Sequence, residues 1–148
     1  EQHPKISIGE IVAKVNEEVL EVIRSKEQGT SDKEQVLKHK LPEPTVKPVI
    51  VVTGGEPLMH NLDELTDALH AAGYQTNIET SGAHPMSGKW DWVCLSPKKF
   101  KAPLPEVIQY ANELKVVIYH KSDFEWAEQY AAIVSPACKL YLQPEWDK

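Results

Sequence analysis

A chain of 148 residues, 41% hydrophobic and 26% charged, is long enough for one core and has an ordinary globular composition rather than a disordered one. No apolar run approaches the roughly 20 residues that span a bilayer, and Glu1-Gln2-His3-Pro4 has neither the basic start nor the apolar centre of a signal peptide, so a cytoplasmic setting without a membrane partner is expected. The net charge of −6, from 16 basic and 22 acidic residues with no basic stripe, argues against a nucleic-acid partner.

In chain order, Ser7 and Glu10 have capping-box spacing, and Ile8, Ile11, Val12, Val15, Val19 and Ile23 form one apolar stripe, which predicts a helix over about 8–25. From Glu27 to Pro48 the period is lost among Gly29, Thr30, Ser31, Asp32 and three prolines, which predicts a flexible excursion over 27–48 inside a single domain spanning 1–148. Val49-Ile50-Val51-Val52 then predicts a strand over 49–53, buried on both faces as in a parallel sheet. Asn61 and Glu64 repeat the capping spacing, Leu62, Leu65, Ala68, Leu69 and Ala72 form a stripe, and Gly73 supplies the stop of a helix over 62–72.

Strands are expected next at 75–80 and 91–96. Only Ser81 to Trp90 joins them, with no room for a crossover helix, so either this unit is degenerate or the two strands are not simple parallel neighbours. Pro105 opens a short helix through Val107, Ile108 and Ala111, and a strand follows at 114–119. Ser122 with Glu125 caps a further helix that carries Phe124, Ala127, Ala131 and Val134 inward until Pro136 ends it, and a last strand is expected at 139–143. Strands alternating with helices imply right-handed crossovers and a mainly parallel α/β sheet.

Cys94 and Cys138, 44 residues apart, match no metal or redox spacing and are expected to be small buried hydrophobes. His60, His84 and His120 are scattered without metal-ligand spacing, so the chain is expected to hold no metal itself.

Polar motifs fall at the predicted strand ends: Thr53-Gly54-Gly55-Glu56, Glu79-Thr80-Ser81-Gly82, Ser96-Pro97-Lys98 and Gln143-Pro144-Glu145. Ligands of α/β folds bind at the carboxyl ends of the strands, where loops from several strands converge, so one shared pocket is expected. The glycines lack the Cβ that would keep a ligand off the backbone, although a tight strand-to-helix connection would need them as well. Main-chain carbonyls near Gly54 and Gly55, with the Glu56 carboxylate, suit a ligand ammonium; alternatively Glu56 only favours the positive end of the following helix. Thr80 and Ser81 suit ribose or carboxylate oxygens or satisfy their own backbone. Ser96 and Lys98 suit hydroxyl and carboxylate groups, Lys99 and Lys101 decorate a solvated loop, and Gln143 suits a heterocycle edge or caps a neighbouring loop.

TGGEPL after a buried strand resembles the glycine-rich motif of radical S-adenosylmethionine enzymes. The wider pattern, VVTGGEPL, NIETSG, VCLSPKKFK, ELKVVI at Glu113 to Ile118 and YLQPE at Tyr141 to Glu145, resembles 7-carboxy-7-deazaguanine synthase within that superfamily and covers nearly everything from Pro48 onward. The resemblance implies a partial (β/α) barrel of parallel strands. It also implies a radical ring contraction of 6-carboxy-5,6,7,8-tetrahydropterin with loss of ammonia, a carbon–nitrogen lyase step toward queuosine and other 7-deazapurines.

The implied cofactors are S-adenosylmethionine, a 4Fe-4S cluster and Mg2+, and the implied partners are a second copy in a homodimer and an external electron donor such as flavodoxin. Carried over by motif, Thr53 would contact the pterin; Gly54, Gly55 and Glu56, with Ser96, Pro97 and Lys98, would contact S-adenosylmethionine; Gln143, Pro144 and Glu145 would line the same cavity near cofactor and substrate. No residue acquires a catalytic role. The three closely spaced cluster cysteines of the family are not in this sequence, so the chain is expected to be a fragment cut at both ends and inactive alone. Two alternatives stand beside this reading: another radical enzyme such as a glycyl-radical activase, or a non-catalytic nucleoside-binding domain.

Overall fold

The computed structural model describes residues 6–28 and 47–145, with side chains described outside 26–28. The excursion expected over 27–48 therefore lies almost wholly outside the described residues; residues 27 and 28 close the first helix and residues 47 and 48 lead into the first strand.

Helix α1 (Ile8–Gln28) begins at the expected capping box. The Ser7 hydroxyl accepts from the Glu10 amide at 3.2 Å, and the Glu10 carboxylate accepts from the Ser7 amide at 2.8 Å. Its stripe from Ile8 to Val19 is half-buried, while Ile23 is exposed. The strands β1 (Val49–Val52), β2 (Gln75–Thr80), β3 (Trp92–Leu95), β4 (Glu113–Ile118) and β5 (Lys139–Pro144) form one sheet in chain order, and every neighbouring pair is parallel. Between them run a single 3-10 turn (Pro57–Met59) and the helices α2 (Asp63–Ala71), α3 (Pro105–Ile108) and α4 (Ser122–Ala131).

The period of two along each strand divides the sheet into two faces. One carries Ile78, Val93, Leu95, Leu114 and Val116, each under 5% exposed, and packs against α2, α3 and α4 in two apolar clusters. Fully burying side chains of this size contributes about 1.5–3 kcal/mol each. The other face carries Val49, Val51, Asn77, Glu79, Trp92, Cys94, Glu113, Lys115, Tyr141 and Gln143 by register. No helix of the described residues packs on it. This overturns the expectation that β1 is buried on both faces: Val49 and Val51 are 46% and 55% exposed. A run of β-branched residues fixes extended backbone, but which face is covered depends on what else packs there.

The short link between β2 and β3 proves to be a degenerate unit between true parallel neighbours. Residues 81–91 contain no helix, and Met86 and Trp90 pack onto the Leu58, Leu62, Ile78, Val93 and Val107 cluster where a helix would have sat. The loop is fixed to α2 by hydrogen bonds: the Ser87 hydroxyl accepts from the Leu62 amide at 3.2 Å, Asp63 accepts from the Gly88 amide at 2.6 Å, and the Thr66 hydroxyl accepts from the Lys89 amide at 2.9 Å.

Two helix starts differ from expectation. The N-cap of α2 falls on Leu62, which makes no side-chain cap bond; Asn61, one residue before it, accepts from the Asp63 amide at 2.9 Å, and no Asn61–Glu64 box forms. At α4 no Ser122–Glu125 box forms; Asp123 instead accepts from the Tyr119 and His120 amides, each at 2.7 Å. Phe124 does not point into the core, being 47% exposed, whereas Ala127 and Val134 are buried as expected. No helix of the described residues is long and apolar enough to cross a membrane.

Candidate active site

The turns after β1, β2 and β3 open onto one cavity of about 370 Å³ at the carboxyl ends of the strands. Thr53, Gly54, Gly55 and Glu56 form one wall, Glu79, Thr80 and Ser81 the second, and Ser96 and Lys98 the third; Met59, His84, Phe100 and Lys101 stand around them. Gly54 and Gly55 have φ of 90° and 49°, the left-handed region that side chains disfavour, and a Cβ at either would meet nothing within 4 Å. The space beside them is open to the cavity and not filled by the protein's own packing.

Glu56 does more than cap the 3-10 turn. Its Oε1 accepts from the Leu58 amide at 3.2 Å and from the Thr80 hydroxyl, and its Oε2 accepts from the Ser81 amide at 2.8 Å and from the Ser81 hydroxyl. Burial pushes its pKa up, but the hydroxyls of Ser81 and Thr80 and the amides of Ser81 and Leu58 outweigh burial and hold it below the usual carboxylate range. The group is an anion committed to protein donors. Thr80, 2% exposed, and Ser81 donate their hydroxyls to it, and the same oxygens accept from the Gly82 and Ala83 amides at 3.0 and 3.4 Å, so of the alternatives expected for them the turn that satisfies its own backbone is the one observed.

On the third wall Ser96 is buried and its hydroxyl accepts from Lys98 Nζ at 3.1 Å, which draws the lysine over the cavity. Pro97 is buried and lines a neighbouring cavity of about 280 Å³ together with Lys98, Lys99, Phe100, Tyr119 and Trp126. Lys99 is not merely a solvated loop residue: its ammonium pairs with Asp123 and lies 5.7 Å from the centre of the Trp126 ring. Lys101 stands 3.1 Å from His84 Nε2 at the rim.

The fourth expected motif is not brought to this cavity. Gln143, Pro144 and Glu145 are exposed at the end of β5, with β4 between them and β3, and the Glu145 amide donates to the Ile118 carbonyl at 3.1 Å. In a sheet laid out in chain order, two strand spacings of about 4.8 Å each separate β5 from β3, and only closure of a barrel would swing that end back over the site.

The structure adds residues that the motif reading passed over. Beneath the cavity, on the uncovered face, the Lys115 ammonium pairs with Glu79, the Cys94 thiol donates to Glu113 at 3.4 Å, and the Trp92 indole donates to Glu113 at 3.1 Å. Burial lowers the Lys115 pKa, but the bond to Glu79 and the neighbouring negative groups raise it above the usual value, so it stays charged. Burial, with Glu113 beside it, pushes the Cys94 thiol up to about 12. The available signal was alternation: ELKV places charges at every second position of an otherwise apolar strand, Glu79 stands on the same face of β2, and such charges need partners. Among the described residues no group of three or more His, Cys, Asp or Glu side chains could hold a metal ion.

No family model matches the chain. A 7-carboxy-7-deazaguanine synthase from Flavobacterium psychrophilum is 56% identical over 99 residues, which are 67% of this chain and 47% of that protein. One from Synechocystis sp. is 50% identical over 104 residues, 70% of this chain and 50% of its own length. A crystal structure of QueE from Escherichia coli covers 96% of this chain with a TM-score of 0.66 at 27% identity, and 55% of that chain is matched. The expected α/β architecture, a partial barrel of parallel strands, is thus shown. The chain spans about half the length of the curated relatives it matches.

Proposed function

We infer, from the chain's kinship with the 7-carboxy-7-deazaguanine synthases, that it forms the S-adenosylmethionine-binding part of such an enzyme. The whole enzyme is read as a radical carbon–nitrogen lyase that converts 6-carboxy-5,6,7,8-tetrahydropterin to 7-carboxy-7-deazaguanine with loss of ammonia, in queuosine biosynthesis. The observation that carries this reading is the convergence of TGGE, ETS and SPK on one cavity with an open glycine wall. That the curated relatives bear the deazaguanine name favours this branch over a glycyl-radical activase.

In this reading the main chain at Gly54 and Gly55 meets the ammonium of the methionine part, and Ser96 and Lys98, set by the buried Pro97, meet its carboxylate and ribose hydroxyls. Thr53, at the inner end of the same turn, faces the pterin. Gln143, Pro144 and Glu145 complete the substrate side once the sheet curls round. S-adenosylmethionine, with a cluster whose ligands are not in this sequence, would supply radical chemistry, and this chain's part would be to hold cofactor and substrate in near contact. Cys94 and Cys138 do not fit the cluster, since they are two, 44 residues apart, and belong to no ligand set, and the described residues offer no set for Mg2+ either. The rest of the reading is a cytoplasmic homodimer, residues 1–148 within a single domain, and a flavodoxin-like electron donor.

The test is activity of the gene's full product, reconstituted anaerobically with iron and sulfide and supplied with the tetrahydropterin, S-adenosylmethionine, Mg2+ and a reductant. Mass spectrometry should find 7-carboxy-7-deazaguanine. S-adenosylmethionine binding without any cleavage would instead select the nucleoside-binding alternative.

A further inference from the structure

One carboxylate ties the walls of the cavity together. An ionised carboxylate offers about four lone-pair sites, and the amides of Leu58 and Ser81 and the hydroxyls of Thr80 and Ser81 supply four donors to Glu56. The network continues beyond it. The Thr80 hydroxyl accepts from the Gly82 amide at 3.0 Å, and the Gly82 carbonyl accepts from the Leu104 amide at 2.8 Å. A single run of hydrogen bonds thus passes from the glycine turn after β1, through the end of β2, to the segment that follows β3.

Because the Thr80 hydroxyl has one proton and is already an acceptor for Gly82, that proton must go to Glu56 if the buried oxygen is to be satisfied on both sides. Turning the Glu56 carboxylate toward a ligand would take the acceptor from the Ser81 amide and hydroxyl and from the Thr80 hydroxyl, which is on a residue only 2% exposed. The geometry therefore separates two tasks that the motif combines: the glycines present main chain to the ligand, and the glutamate, although it lines the same wall, has its carboxylate oxygens taken up by protein donors.

We propose that Glu56 is a positioning residue, which touches no ligand and holds Gly54 and Gly55 at the height needed for ligand contact through Thr80, Ser81 and Gly82. The identity of the ligand rests on the S-adenosylmethionine reading above; the anchoring role does not. If Glu56 instead paired with the ligand's ammonium, its own substitution would weaken binding while loss of the Thr80 hydroxyl would leave affinity nearly intact.

The experiment compares Glu56→Gln, Thr80→Val, Thr80→Ser, Ser81→Ala and the double variant Glu56→Gln/Thr80→Val in the reconstituted full product. It reads S-adenosylmethionine affinity by calorimetry and amide exchange at Ser81 and Gly82. Glu56→Gln and Thr80→Val should each weaken affinity by roughly tenfold or more, the double variant little further, and Thr80→Ser should bind like the unsubstituted protein. Ser81→Ala removes one of four donors and no buried group, so it keeps the fold and gives a smaller loss in the same direction. Exchange at both amides should quicken in Glu56→Gln and Thr80→Val while protection of β2 and β4 persists. Weakened binding in Glu56→Gln with unchanged binding in Thr80→Val, or unchanged exchange at Ser81 in Glu56→Gln, would overturn the proposal. If the unsubstituted protein binds no S-adenosylmethionine but both variants release the two amides, the ligand reading falls and the anchor stands.

Discussion

Gly55 and Gly82 are both glycines at positive φ, yet their substitution should be felt in different places. At Gly55 an added Cβ meets no protein atom, but φ of 49° strains any side chain, so Gly55→Val both fills the approach to the backbone and distorts the turn; calorimetry should find S-adenosylmethionine binding abolished, and unchanged affinity would remove the turn from the site. At Gly82 an added Cβ would stand 2.6 Å from Leu95 Cδ1 and 2.9 Å from Pro103, at φ of 74°. Gly82→Ala should therefore cost about 2–3 kcal/mol of stability, from strain and overpacking together, seen as a lowered Tm. The sequence shows both glycines and cannot separate them, because the neighbours that crowd Gly82 come from 13 and 21 residues further along the chain. Glu56 is similar: its motif is visible, but its partners Thr80 and Ser81 lie 24 and 25 residues away.

At the level of elements, the strands were legible almost to the residue, because each is a short segment rich in apolar or β-branched residues set between turn residues. Helix starts were less so. Ser122 and Glu125 have capping spacing, yet Asp123 takes the role through the Tyr119 and His120 amides and also holds Lys99 from the loop after β3. The His120 amide, then Lys99 and the Tyr119 amide, hold the Asp123 carboxyl far below its ordinary value of 3.8. A depressed carboxyl contributes stability that is fully present above the unfolded value and is lost as pH falls toward the folded one. Thermal melts should accordingly find Asp123→Asn less stable than the unsubstituted chain near neutral pH, with the gap closing as pH falls below about 4. A gap that stays constant into strong acid would mean that the charge on Asp123 does not matter.

Across the molecule, what sequence could not reveal was which surfaces stay uncovered. The sequence placed the strands but not their cover, and the apolar residues of both outer strands, Val49 and Val51 on β1 and Leu140 and Leu142 on β5, are about half exposed. Leu140 and Leu142 flank a groove of about 300 Å³ shared with Phe124 and Ala131. An edge strand of this kind invites pairing between chains, and a charge placed on it opposes that. Leu142→Lys should reduce concentration-dependent light scattering of the 148-residue chain with little change in Tm; scattering that persists would place association elsewhere.

The agreement between strand order and chain order bears on how the molecule is made. Every strand pairs only with its neighbours in sequence, so no pairing has to wait for a distant segment, a connectivity that shortens the search a nascent chain must perform. The residues lining the ligand cavity run from Thr53 to Lys101 and belong to the turns of the first three strands. A ribosome working from the amino end therefore delivers all the cavity's lining residues before β4 and β5, which then close in behind a recognition surface whose parts have already been made.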